Sequence, residues 1–381
     1  MSGGRLGIGI LLTYLPRDRA GGAQLQAVRM AAELSKHHDV TLFTRGDENC
    51  AAGLDLANVR LVTRQPPDVY GLRLLADSPL GFRQIRASRS RLDVLVCYQS
   101  IAAGWLGVHA ARRLQLPCLV FVRGRHEYQM GRVSRFRLLV PHVYRHADRV
   151  LVQAPQLAAE ILEQFDRPGL RRIRDRLRDR IGVVPNGVEM QPPRPDCGRG
   201  VVYVGRLIAA KGVGELIDAM QRLPGQRLTI VGDGPERPQL EERARGLPVT
   251  FTGQLDHALA RQRIREARCL ALPSHSEAFP NVVLEALAAG TPVVVARTGG
   301  VPALVDDERT GLLVEPGNVD QLAGALARIT HDQSLCLDLS ARAHAAASAF
   351  AWPLVAERLV TEVRLVLDRR DSAAEPQDTI H

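Results

Sequence analysis

Aromatic residues are scarce in this 381-residue chain: Phe, Trp and Tyr together make up 4% of it. Lysine is scarcer still, present only as Lys36 and Lys211 among 50 basic residues. Few aromatics leave little surface on which bases could stack, and no base-reading motif is visible, so nucleic acid is not expected as a partner. No apolar run approaches the ~20 residues of a membrane-spanning helix. The N-terminal run "LGIGILLTYL" has a single arginine before it and no small-residue cleavage site, and it reads as a buried first strand rather than a leader. The six cysteines, Cys50, Cys97, Cys118, Cys197, Cys269 and Cys336, form no Cys-x-x-Cys. A disulfide framework or a zinc site is therefore not expected, and the cytoplasm is the expected compartment.

What is present is a chain long enough for two domains with large cores. Its charge is uneven. Residues 1–190 carry 29 Lys+Arg against 17 Asp+Glu, and residues 191–381 carry 21 against 24. A basic half beside a near-neutral half suggests two modules, the first facing something anionic.

Short β-branched runs alternate with helical patterns throughout. In the first half, strands are expected at 7–13, 40–44, 94–98, 118–122, 150–153 and 181–184, with helices over 23–36 and 101–114. In the second half, strands are expected at 201–205, 228–232, 249–252, 269–273, 292–296 and 311–315, with helices over 214–223 and 319–329. Continuous apolar runs in βαβα order imply α/β architecture, with doubly wound parallel sheets covered on both faces. The division reads as an N-terminal Rossmann-like domain over 1–184, a proline-rich linker over 185–196 and a C-terminal Rossmann-like domain over 197–350. A last helix over 351–371 would pack across the domain boundary, and 372–381 would be a frayed tail.

Ligands of open parallel sheets bind at the C-terminal ends of the strands, so the residues there carry the functional argument. After the first strand, Gly21 and Gly22 precede a helix. They suit an anion held by free helical N–H groups, and equally an ordinary glycine turn. The dinucleotide fingerprint is not met, because Leu12 stands where a third glycine belongs. After strand 201–205, Arg206 and Lys211 flank a short loop. A guanidinium and a compact ammonium together suit a diphosphate; two solvated surface charges fit as well. After strand 269–273, Glu277 lies in the loop and Glu285 in the helix beyond. Carboxylates there suit sugar hydroxyls, while an exposed helix face is the other reading of Glu285.

These residues resemble a family. "SEAFPNVVLEALAAGTPVV", in which seven residues separate Glu277 from Glu285, is similar to the signature of the retaining GT-B glycosyltransferases of family 4, the glycosyl transferases group 1. "YVGRLIAAKG", "VGDGP", "TGGVPALV", "GLLVEPGN" and "VPNGVE" extend the resemblance over nearly the whole chain. It implies two Rossmann-like domains facing a central cleft. It also implies a nucleotide-diphospho-sugar donor, UDP-linked or GDP-linked, held mainly by the C-terminal domain.

By that resemblance Glu285 binds the ribose, Arg206 and Lys211 neutralise the diphosphate, and Glu277 with the backbone around Phe279, Asn281 and Val282 grips the transferred hexose. Gly21 and Gly22 approach a phosphate from the other domain, and "VGDGP" with the segment from Gly253 to His257 lies by the base. Catalysis falls to Arg206, Lys211 and Glu277. Family members often carry a His and then an Asp after the strand matching 118–122. Here Arg123 and His126 stand near those places, and either contact with the donor sugar or a plain loop role fits them. No two aspartates lie two apart, so the metal-bridging Asp-x-Asp of the other large glycosyltransferase fold is missing. No cofactor is expected, and transfer is expected to be metal-independent.

The N-terminal half adds three arginine-rich stretches. Arg167–Arg180 contains seven arginines, with Leu170, Ile173, Leu177 and Ile181 at helical spacing. Arg83–Arg91 and Arg132–Arg145 are the others. Such helices suit peripheral contact with an anionic membrane, and a solvated helix packing its stripe on the domain is the alternative. The function expected is transfer of a sugar to a glycan or lipid-linked acceptor in bacterial cell-surface glycan assembly. The same fold acting on a small soluble acceptor, or a non-catalytic nucleotide-sugar-binding subunit, are the rivals.

Overall fold

The computed structural model describes residues 4–15, 22–46, 56–64, 73–124, 127 and 139–374. Gly21, His126, residues 128–138 of the third basic stretch, and 375–381 of the tail lie outside them. The chain forms two compact units, one from 1–187 with 352–381 and the other from 188–351.

Among the described residues, the first unit is built on a seven-stranded sheet. Its strands are β1 (Gly7–Tyr14), β2 (Asp39–Arg45), β3 (Val59–Arg64), β4 (Val94–Tyr98), β5 (Cys118–Phe121), β6 (Arg149–Val152) and β7 (Ile181–Val183), in the order β3-β2-β1-β4-β5-β6-β7. Every pairing is parallel. Parallel neighbours need crossovers, and helices such as Gly22–Ser35 and Ala102–Leu114 supply them. The helix Ala102–Leu114 lies close on the sheet. A Cβ at Gly107 would stand 2.1 Å from the Cys97 sulfur, so only glycine fits.

Strand β3 is absent from the sequence reading. Arg60 and Arg64 interrupt its apolar run, yet it pairs with β2 in register from Val40↔Val59 to Arg45↔Arg64. An edge strand needs only one apolar neighbour, so its pattern is weak.

The C-terminal helix, Trp352–Ala374, packs on this first unit. Val355, Leu359 and Val363 are fully buried in the same cluster as Ile8, Ile10 and Val94. Across the helix, Arg149 Nε donates to Glu362 Oε2 at 2.7 Å. The backbone of β7 comes so near that a Cβ at Gly182 would sit 2.5 Å from Glu362 Oε1. The helix runs beyond the expected end at 371, because residues 372–374 continue its turns. The basic helix is also shorter than expected, covering Arg171–Arg178. Gly169 at φ +86° keeps the chain out of helix before it, and Ile181 belongs to β7. Of the apolar stripe, Leu177 alone is fully buried.

The second unit carries a six-stranded sheet in the order β10-β9-β8-β11-β12-β13. Its strands are β8 (Val201–Val204), β9 (Leu228–Val231), β10 (Val249–Gly253), β11 (Cys269–Leu272), β12 (Val293–Ala296) and β13 (Leu312–Val314). These pairings are parallel too. The strand order reverses between β8 and β11, and that switch point opens a crevice at the strands' C-terminal ends.

Candidate functional site

The site in the second unit follows from that reversal. Beyond β8 the chain passes Gly205 and Arg206, makes a short 3-10 turn over Ala209–Lys211, and enters the helix Val213–Gln221 through Gly212 at φ +65°. Beyond β11 comes the loop that carries His275 and Glu277. The two loops touch. The His275 N–H donates to the Ala210 carbonyl at 3.0 Å, and a Cβ at Gly212 would lie 2.3 Å from the Pro273 carbonyl oxygen. Glycine is therefore required at 212 both by backbone angle and by space.

This close approach brings Lys211 Nζ to 2.6 Å from Glu277 Oε1. The two side chains are 20% and 10% exposed, so the pair is largely withdrawn from water. Tyr203, buried at the end of β8, donates its hydroxyl to the Arg206 carbonyl at 3.0 Å. Burial, and next the Glu277 carboxylate, push the Tyr203 phenol well above its ordinary range. The Arg206 side chain is exposed on the same loop.

Backbone contacts knit in the neighbouring strand ends. Gly232 N–H donates to the Gly253 carbonyl at 2.9 Å, and Leu207 N–H donates to the Asp233 carbonyl at 3.0 Å. Gly253 closes β10 at φ +72°.

The helix Asn281–Ala288 starts after Pro280, which gives no side-chain cap. Its first turn presents backbone N–H groups and the positive end of the helix dipole. Phe279 is buried and its ring lies 6.2 Å from that of Phe350, which fixes the approach to this turn. Asn281 and Val282 are partly buried. Glu285, one turn in, has Oε1 3.0 Å from His257 Nε2. His257 opens the helix His257–Glu266, whose N-cap Asp256 accepts from Leu259 N–H at 2.8 Å.

In the first unit, Arg123 follows β5. Its guanidinium lies over the rings of Tyr98 and Phe121, at 4.4 and 4.1 Å from their centroids, and donates to Asn186 Oδ1 at 2.6 Å. Burial lowers its pKa. The neighbouring Glu127, buried, accepts from the Ser100 N–H at 2.7 Å and the Arg123 N–H at 3.0 Å, tying the ends of β4 and β5. Gly22 is exposed at the first turn of the helix Gly22–Ser35.

The structure thus joins Lys211 to Glu277, and the segment after Gly253 to Glu285 through His257. Sequence reading missed three features: the Glu127 clamp, the pairing of His275 Nε2 with Glu215 Oε1 at 2.8 Å, and the His257 contact to Glu285. Only the last carries a signal in the sequence, where the Gly253–His257 segment is expected to lie by the base.

Comparison with known proteins places the chain. The model for "Glycosyl transferases group 1" matches residues 198–332, and that for "Glycosyl transferase 4-like domain" matches 21–187. Glycogen synthase of Mycobacterium tuberculosis is 32% identical over 92% of this chain and 83% of its own length. The GDP-mannose-dependent alpha-mannosyltransferase of Mycolicibacterium smegmatis is 34% identical over 83% of this chain and 84% of its own length. The crystal structure of Anabaena HepE in complex with UDP superposes with a TM-score of 0.73 at 22% identity, covering 96% of this chain and 100% of that one.

Those relatives and the two Rossmann-like sheets define a glycosyltransferase of GT-B fold. The chain belongs to the group 1, family 4 glycosyltransferases and is a hexosyltransferase-type enzyme.

Proposed function

We propose that this enzyme transfers a hexose, with retention of configuration and without a metal ion, from a nucleoside-diphosphate sugar to an acceptor hydroxyl in bacterial cell-surface glycan assembly. The observation that carries the reading is the Lys211–Glu277 pair at the β8/β11 switch point, beside an uncapped helix start. A cation and free N–H groups at one crevice suit a diphosphate, and the neighbouring carboxylate suits the hydroxyls of the attached sugar. Nucleotide-sugar use also fits the name of the mannosyltransferase relative and the UDP in the HepE complex.

The chemistry follows from that assignment. The bond between the anomeric carbon and the diphosphate oxygen breaks as the acceptor oxygen bonds to the same face of that carbon. The acceptor's proton passes to the departing diphosphate oxygen. Negative charge grows on the leaving group, so Lys211, Arg206 and the N-terminal N–H groups of Asn281–Ala288 stabilise the transition state more than the ground state. When the diphosphate attracts Lys211, the Glu277 carboxylate is released toward the hexose. Glu285 holds the ribose hydroxyls, and the Gly253–His257 segment flanks the base.

For the acceptor, the exposed arginines Arg171, Arg172, Arg176 and Arg178 on the helix Arg171–Arg178 suit anionic lipid headgroups. No helix among the described residues is long and apolar enough to cross a membrane. The test is a panel of UDP- and GDP-sugars screened by thermal shift, followed by product analysis of the anomeric configuration. A chain that binds none of them, or inverts the anomeric centre, overturns the reading. Absence of salt-sensitive co-sedimentation with anionic vesicles removes the membrane part alone.

A further inference from the structure

We infer that His257 is a positioning residue that orients the Glu285 carboxylate for a vicinal diol, and so sets the enzyme's preference for ribonucleotide over deoxyribonucleotide donors. The inference rests on the proposed ribose role of Glu285.

The geometry is local to the second unit. Glu285 projects from the helix Asn281–Ala288, and the imidazole comes from the start of the neighbouring helix His257–Glu266. Nε2 and Oε1 are 3.0 Å apart. An ionised carboxylate only accepts, so Nε2 carries the hydrogen and donates it. One oxygen of Glu285 is thereby engaged and the other left to accept from a ligand. A glutamate side chain has three torsions, and an anchor on one oxygen removes much of their freedom before any ligand arrives.

The anchor is itself anchored. Asp256 caps the helix on which His257 stands, and the helices His257–Glu266 and Asn281–Ala288 pack together. The chain reaches His257 from Gly253, whose carbonyl is held by Gly232 N–H. The imidazole is 43% exposed and Glu285 19% exposed, so the histidine edge stands nearer to water and the carboxylate lies deeper. That arrangement leaves the carboxylate accessible to a small diol while its own rotation is stopped.

The test is a binding cycle with UDP and 2′-deoxy-UDP, run in parallel with GDP and 2′-deoxy-GDP, on the full chain. In wild type the ribonucleotide binds more tightly. His257→Ala should weaken it by about fivefold to tenfold, raise KM for the donor by a similar factor and leave kcat within about twofold. Binding of the deoxynucleotide should weaken by a smaller factor, because only its 3′ hydroxyl is left to meet Glu285. His257→Gln, which keeps an N–H donor at similar reach, should recover most of the loss, and His257→Met, which offers none, should not. In a Glu285→Ala background, His257→Ala should have no further effect.

Wild-type affinity and wild-type ribose discrimination in both His257→Ala and His257→Met overturn the inference, provided Glu285→Ala does weaken binding. If Glu285→Ala itself leaves ribonucleotide affinity unaltered, the ribose assignment falls first and this inference with it.

Discussion

Lys211 and Glu277 lie 66 residues apart in sequence and form a 2.6 Å ion pair where the strand order of the second sheet reverses. Neither charge is fully desolvated, so a competing anion can separate them. The pair is held by backbone rather than by side-chain packing. Gly212 and the His275–Ala210 hydrogen bond fix the two loops, and the ion pair follows from their spacing.

Lys211→Ala should lower turnover by about 10²–10³ through lost stabilisation of the leaving diphosphate. Lys211→Arg should recover little, since a planar fork on a longer stem cannot take the place of a compact ammonium. Steady-state kinetics with the donor identified by the nucleotide-sugar panel decide this. Unchanged turnover would remove Lys211 from the mechanism.

Glu285→Ala should act on binding more than on chemistry. Hydrogen bonds to a charged group are worth about 1.5–3 kcal/mol, so the dissociation constant of the nucleoside diphosphate should rise roughly tenfold to a hundredfold. Calorimetric titration measures it directly.

The Arg149–Glu362 contact, whose side chains are 8% and 16% exposed, ties the helix Trp352–Ala374 to β6. Glu362→Ala leaves a buried guanidinium without its carboxylate and should cost about 3–5 kcal/mol. Gly182→Ala attacks the same contact from the other side, since its Cβ would meet Glu362 Oε1 at 2.5 Å. Urea unfolding of both variants should show lowered midpoints. A wild-type midpoint for Glu362→Ala would mean that the helix Trp352–Ala374 is held by its apolar face alone.

Alkaline pH should destabilise the protein. Burial pushes the Tyr98 phenol and the Cys269 thiol up, each to about 12. In the unfolded chain these groups titrate near ~10 and ~8.5. Their native values are raised, so the unfolded state loses protons first. The stability they contribute is complete below the unfolded values and is lost as pH climbs toward the native ones, at about 1.4 kcal/mol per pH unit per group. Denaturant midpoints should hold between pH 7 and pH 8 and fall from pH 9 to pH 11. A flat profile over that range would contradict the burial argument.

Much of this architecture is legible in the sequence, because continuous runs such as "VLVCY" and "VVVA" have one physical solution, a strand covered on both faces. Strand β3 was not legible, since an edge strand carrying Arg60 and Arg64 needs little apolar signal. The end of the last helix was not legible either, because polar residues past 371 continue a helix once its N-terminal turns are docked. Arg167–Arg180 reads as one amphipathic helix, yet a turn through Gly169 and the pull of Ile181 into β7 leave only its middle helical.

Sequence alone determined the α/β class, the alternation of strands and helices, and the loops in which cations and carboxylates collect. Those follow from hydrophobic period and from where glycine and proline interrupt it, which are local quantities. Tertiary structure decided which charge meets which. Lys211 finds Glu277 because β8 and β11 are neighbours, and Glu285 finds His257 because two helices pack side by side. Arg123 turns to Tyr98, Phe121 and Asn186 because β4, β5 and the segment after β7 end at one level. Pairing over a few ångströms depends on strand order and helix packing, and neither is encoded in the spacing of the residues that pair.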